Sequence, residues 1–146
     1  MNEFVKSLEV RWADLDPNFH VRHSVYYDWG AYSRICFFHS QGVTTSILLE
    51  HLLGPILFRE ECIFRKEIHF SDNLNIDLQL IKSRDDYSRW SIRHSIYKNQ
   101  DTLAAIITID GAWIDTQKRK LTVPPPIVAN MVAEMPKSPD FEWTNK

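Results

Sequence analysis

Asp14-Leu15-Asp16-Pro17-Asn18-Phe19-His20-Val21-Arg22-His23 runs without a break into Ser24-Val25-Tyr26-Tyr27-Asp28-Trp29-Gly30-Ala31-Tyr32-Ser33-Arg34, and the architecture follows from this passage. Pro17-Asn18 interrupts the extended chain before it. Ser24 offers a side-chain cap, so a helix is expected from Ser24 to Ser40, roughly 25 Å long. Around that helix Tyr26, Trp29, Ala31, Tyr32, Ile35, Cys36, Phe37 and Phe38 leave little polar face, interrupted by Asp28, Ser33, Arg34 and His39. A helix apolar nearly all round is buried on most sides. Gly30 costs about 1 kcal/mol relative to Ala in mid-helix, which close approach to another backbone would explain. The passage also sets carboxylates just ahead of a helix N-terminus. A carboxylate can act as base or nucleophile, and the unpaired N–H groups of a first helical turn can stabilise an oxyanion.

Outward from the helix, residues 4–12 read as a first strand, with imperfect alternation of Phe4, Leu8, Val10 and Trp12. Gln41-Gly42 stops the helix, and a second, shorter one is expected over 44–53 before Gly54-Pro55. The period then changes. Phe58, Cys62, Phe64, Ile68 and Phe70 share one parity while Arg59, Glu61, Arg65, Glu67 and His69 share the other, which predicts a long strand over 57–70 with one buried face. Leu74, Ile76, Leu78 and Leu80 alternate with polar residues in the next strand, after a Ser71-Asp72-Asn73 turn. Residues 90–97 form another, and Lys98-Asn99-Gln100-Asp101 a four-residue hairpin loop. Leu103 to Trp113 is apolar on both parities and belongs in the middle of a sheet. Pro124-Pro125-Pro126 closes the main domain, expected over 1–123. Residues 124–146 form a Pro-containing tail with a short helix near 127–135 and irregular chain beyond Pro136. One sheet wrapping one apolar helix is an α+β arrangement, and its outward aromatics favour cover by a second subunit, as a homodimer or homotetramer.

The 146 residues fit one domain, with 44% apolar content to fill its core. A net charge of −2 gives no global field toward nucleic acid or an anionic membrane. No apolar run reaches the roughly 18–20 residues of a membrane span. The Met1-Asn2-Glu3-Phe4-Val5-Lys6 start lacks the pattern of a secretory leader. Cys36 and Cys62 read as buried thiols in a reducing compartment, which makes the cytoplasm the expected location. Only four glycines are present, none spaced for a dinucleotide or P-loop site, and no G-x-S-x-G appears.

The motif resembles that of the hotdog-fold acyl-CoA thioesterases, in the branch that includes 4-hydroxybenzoyl-CoA thioesterase. That branch carries D-x-D-x-x-G-H-V-x-x-x-x-Y and then an arginine eight residues on; Asp14, Asp16, His20, Val21, Tyr26 and Arg34 stand in those places. The resemblance covers residues 5 to 120 or so and implies a hotdog fold, a five-stranded antiparallel sheet wrapped around a central helix. It implies thioester hydrolysis with no cofactor, acting on an acyl-CoA or aryl-CoA. Asp16 corresponds to the family's catalytic carboxylate, as general base on water or as nucleophile, and the backbone N–H of His23 to its oxyanion donor. His20 orients Asp16 or a water, or holds the turn. Asp14 reads as structural, and Arg34 as paired with a carboxylate or carbonyl. Tyr26 and Phe19 are candidate substrate contacts. Phe19 stands where the family has glycine, so its ring is expected to crowd the thioester end. Ala31 replaces a common helix glutamate. Arg59, Arg65, Arg89 and Lys118 are candidates for the CoA phosphates.

Three other readings compete. Asp14, Asp16, His20 and His23 offer metal-ligating atoms, but without a matching ligand cluster elsewhere in the chain, so no metal is expected. A hotdog dehydratase would need a different histidine context. A hotdog protein that binds an acyl group or CoA without hydrolysing it is the strongest alternative, since a fold does not fix a function.

Overall fold

The computed structural model describes residues 3–145. Met1 and Asn2, on which the leader reading partly rests, and Lys146, the last residue of the expected tail, lie outside the described residues. Strand β1 spans Val5–Leu8 and is shorter than expected: residues 9–11 are irregular, and a 3-10 turn follows at Trp12–Asp14. Helix α1, His23–Ser40, starts one residue early. Its N-cap is Arg22, and no side chain caps it. The Ser24 hydroxyl instead accepts from Arg22 Nε at 3.1 Å.

The helix ends in a Schellman motif. Gly42 takes φ +77°, and the N–H groups of Gly42 and Val43 donate to the carbonyls of His39 and Phe38. Val43 and Phe38 are both buried, which adds the apolar contact such a stop normally carries. Helix α2, Thr45–Glu50, follows, with the Thr44 hydroxyl accepting from Ile47 N.

The remaining elements are β2 (Leu53–Phe64), β3 (Leu74–Asp77), β4 (Gln79–Ser83), β5 (Arg89–Lys98), β6 (Thr102–Asp115), β7 (Lys120–Leu121), α3 (Pro126–Ala133) and β8 (Lys137–Trp143). β3 and β4 are one strand interrupted at Leu78, and both pair with β5. The five-stranded order is then β1, β3/β4, β5, β6, β2, antiparallel throughout. As its double-sided apolar pattern requires, β6 lies between β2 and β5. The β5–β6 loop has three residues rather than four, since Lys98 pairs with Thr102 and leaves Asn99, Gln100 and Asp101 between them.

Helix α1 packs against β1, β2, β3 and β6, so the sheet curls round it. It is buried along one side only, through Val25, Tyr26, Trp29, Gly30, Ser33, Phe37 and Phe38; Ala31, Tyr32 and Ile35 remain exposed. Gly30 does sit at a close approach, but to side chains rather than backbone. A Cβ there would lie 3.4 Å from His94 Cδ2 and 3.7 Å from Ile107 Cδ1.

Two further expectations fail. β2 ends at Phe64, and a bulge between Leu57 and Arg59 inserts Phe58, so the single-parity face does not hold; Phe58, Phe64 and Phe70 are exposed. The segment after Pro136 is a strand, β8, paired parallel to β4, and Val128, Met131, Val132 and Met135 join the main core. Among the described residues no helix is long and apolar enough to cross a membrane.

Candidate active site

Residues 14 to 22 fold back on themselves. Arg22 N donates to Asp14 O, Leu15 bridges Val21, and Asp16 N donates to His20 O at 2.8 Å. Pro17, Asn18 and Phe19 form the tip. The Asp16 carboxylate holds this tip through Oδ1, which accepts from Asn18 N at 2.9 Å and from His20 N at 3.2 Å. The side chain is thereby oriented by the turn it stabilises. Three residues past His20 the chain enters α1. The backbone N–H of His23 has no acceptor among the described residues, as befits a first-turn donor that no side chain caps.

Asp14 has a different task. It is buried, and its carboxylate receives Arg11 N at 2.8 Å and Arg11 Nη2 at 2.7 Å. Burial pushes its pKa up, but the hydrogen bonds and charge of Arg11, with Arg22 adding to them, outweigh this and hold it below the usual carboxylate range. Asp14 thus accepts a backbone N–H, that of Arg11, as its structural reading expects.

His20 supplies its backbone to Asp16, while its ring faces away toward Glu67, with Nε2 at 3.2 Å from Glu67 Oε2. Tyr26 is 3% exposed, and its ring packs edge-on against Trp29 and Phe64. Burial, with the nearby Cys62, Asp16 and Glu67 adding to it, pushes its pKa up to about 12, so its phenol stays protonated beside the turn. Phe19 is 64% exposed and takes φ +65°. The left-handed backbone gives a conformational reason for glycine at this position, distinct from room for substrate.

Arg34 pairs with a carboxylate, Glu60, as expected, and it has a second partner that the sequence did not suggest. Its Nη1 donates to Nε2 of the fully buried His94 at 3.0 Å, and Glu60 is 4.0 Å from Nη2. With Nε2 accepting, His94 carries its proton on Nδ1, which donates to the Asp77 carbonyl at 2.8 Å. Burial, then the Arg34 charge, depress the His94 pKa to about 3. Arg34 is thus part of the joint between α1 and β5. Ala31 lines a cavity of about 220 Å³ with Arg34, Ile35, Phe38, Leu57 and Trp90. Cys36 and Cys62 are both free thiols and half-buried, and burial, with Glu60 adding to it, raises the Cys62 pKa to about 11.

Of the four potential ligands weighed from sequence, His20 lies in a group close enough to share an ion, and Asp14, Asp16 and His23 lie outside it. Among the described residues the group that could hold an ion is His20, Glu67 and His69, whose ligand atoms lie within 4.8 Å of one another. Glu67 and His69 were missed because they read as the polar face of a strand running on to Phe70. Their E-x-H spacing was the available signal.

The thioesterase-like superfamily matches residues 10–134 of the chain. No curated protein matches the sequence at a significant level. A Staphylococcus aureus protein solved in complex with CoA superposes with a TM-score of 0.84 at 18% identity, over 97% of this chain and 89% of that one. A 1,4-dihydroxy-2-naphthoyl-CoA thioesterase from Synechocystis gives a TM-score of 0.80 at 16% identity, over 90% and 96% of the two chains. A gentisyl-coenzyme A thioesterase gives 0.75 at 21% identity, over 90% and 100%. The architecture, a curled antiparallel sheet around one helix, is the hotdog fold these proteins share.

Proposed function

The chain belongs to the thioesterase-like superfamily, and from that premise we propose that it hydrolyses an acyl-CoA or aryl-CoA to the free acid and CoA. The observation that carries this reading is the Asp16 carboxylate fixed at a hairpin tip, seven residues before a helix whose first N–H, that of His23, has no acceptor among the described residues. A thioester carbonyl is already activated, because sulfur donates little into it. The protein need only deliver a nucleophile and stabilise the oxyanion. Asp16 activates water as a general base or attacks directly to give a mixed anhydride, and CoA leaves as the thiol. The His23 N–H meets the charge developing on the carbonyl oxygen, an interaction worth about 3–4 kcal/mol in such sites. Tyr26 lies against the same turn and contacts the acyl end, and Phe19 shapes the approach to it. His20 positions Asp16 through its backbone.

Arg59 is engaged by Glu61 and Asp110, and Arg89 lies over the Phe58 ring. Lys118 sits beside Asp115 in the β6–β7 turn, so Arg65, exposed just past the end of β2, is the best placed of the four candidates for the CoA phosphates, together with its neighbour Lys66. The active form is at least a dimer. Leu57, Phe58, Ile63 and Phe64 are exposed on β2, which among the described residues pairs with β6 alone and so presents a free edge.

Release of free CoA from a panel of short, branched, long-chain and aromatic thioesters tests the proposal, with Asp16→Asn as the control. Asparagine keeps an oxygen for the Asn18 and His20 N–H groups, so the turn survives while the base is lost. Turnover of every active thioester is expected to fall by about 10²-fold or more. An active panel on which Asp16→Asn keeps the wild-type rate refutes the assignment. Acyl-CoA binding without turnover by the wild type would make this a binding protein.

A further inference from the structure

We propose that His20, Glu67 and His69 form a binding site for a divalent transition-metal ion of the zinc class. Two imidazoles and one carboxylate are the donor set such ions prefer, whereas magnesium and calcium favour oxygen ligands alone. The backbone builds the group. Ile68 is fully buried, and its carbonyl accepts from Val21 N at 2.9 Å. Glu67 and His69, its two neighbours, are exposed on either side of it. An antiparallel bridge sets His69 opposite His20, and their rings meet edge-on with centroids 4.8 Å apart. Lys98 Nζ donates to the Glu67 carbonyl at 2.6 Å and anchors the third member.

The distances suit an ion. Tetrahedral coordination with bonds of about 2.1 Å puts ligand atoms about 3.4 Å apart. His20 Nε2 and Glu67 Oε2 are already 3.2 Å apart. All three ligand atoms fall within 4.8 Å of one another, and Glu67 and His69 are exposed enough to close the rest by side-chain rotation. Asp72 adds an independent sign. It accepts from His69 N at 2.8 Å and stands 3.7 Å from His69 Nδ1, and is itself held by Asn99 and Lys98. A carboxylate beside one imidazole nitrogen orients the ring so that the other nitrogen binds metal. Three protein ligands leave the fourth position to water. The ion would also fix the ring of the residue whose N–H holds Asp16.

The test reads metal binding and not turnover, so it stands or falls apart from the hydrolase reading. Tag-free full-length protein, stripped with a chelator, is titrated with Zn²⁺ by calorimetry and with Co²⁺ by its visible absorption. One ion per chain is expected to bind saturably, with Co²⁺ bands of a nitrogen–oxygen site. His69→Gln and Glu67→Gln are each expected to weaken binding by about tenfold or more, and Asp72→Asn by about 10–100-fold. His51→Gln, an exposed histidine elsewhere, is expected to leave it unchanged. Absence of saturable binding to the wild type, or binding that persists undiminished in both His69→Gln and Glu67→Gln, overturns the proposal.

Discussion

Phe19 holds a phenyl ring at φ +65°, a backbone angle that costs a residue with a Cβ about 1–2 kcal/mol. Its ring is mostly exposed, so packing returns little of that cost. Phe19→Gly removes the strain but loosens the unfolded chain, which offsets about half of the gain. The variant is expected to be more stable by about 0.5–1 kcal/mol, read as a higher urea midpoint at unchanged slope. A lower midpoint would show that the ring holds the turn after all. On the function proposed, the same variant is also expected to accept a wider range of acyl groups. At this scale the sequence was informative where turn chemistry is local. Asp16, Pro17 and Asn18 announced a turn, and the carboxylate does organise it. It was uninformative about Glu67 and His69, because their meeting with His20 depends on where β2 stops, which no residue among 57–70 marks.

The joint between α1 and the sheet turns on one buried histidine. His94 is neutral between Arg34 and the Asp77 carbonyl, with a pKa of about 3 against an ordinary 6.5. The unfolded chain therefore takes up a proton as pH falls through 6.5, and the folded chain takes none until about pH 3. The contribution of His94 to stability is complete above pH 6.5 and is lost progressively below it, by up to about 1.4 kcal/mol per pH unit. Urea unfolding between pH 6.5 and 4.5 is expected to show this slope, and His94→Gln is expected to flatten it. The acid-shifted carboxylates Asp14, Asp72 and Asp86 lose their own contributions only at lower pH, below the ordinary carboxylate value of 3.8. Helix and strand types were legible from their periods. The caps and bulges were less so. Arg22 precedes the helix where Ser24 was expected to, since Ser24 already lies inside it. The bulge at Phe58 reverses the parity that made β2 look one-faced.

Taken as a whole, the molecule treats its last segment as core. Val128, Met131, Val132 and Met135 are buried, each contributing about 1.5–3 kcal/mol. Four such residues match a large share of the roughly 5–15 kcal/mol that holds a domain folded. A chain ending at 123, the boundary expected from the proline run, is therefore expected to lose cooperative thermal unfolding and its near-UV circular dichroism. Retention of both would show that the first 123 residues fold alone. The tail looked irregular because Pro136 and Pro139 remove backbone donors. Yet β8 lies on an outer edge and pairs with β4 alone, where a missing N–H costs nothing if it points outward. Of the five-stranded order, the central place of β6 was legible, because its residues are apolar on both parities. The same order bears on how quickly the chain can reach it. β1 must find β3 across the whole of α1, and β2 must find β6 across three intervening strands. Among the described residues three pairs meet through short loops: β4 and β5 across residues 84–88, β5 and β6 across 99–101, and β6 and β7 across 116–119. Distant pairings lose chain entropy before they return any contact energy, which places folding on the order of milliseconds or slower. The β5–β6 hairpin combines the shortest of these loops with the longest strands, so the search can begin locally there, and φ-values measured by stopped flow are expected to be highest in it.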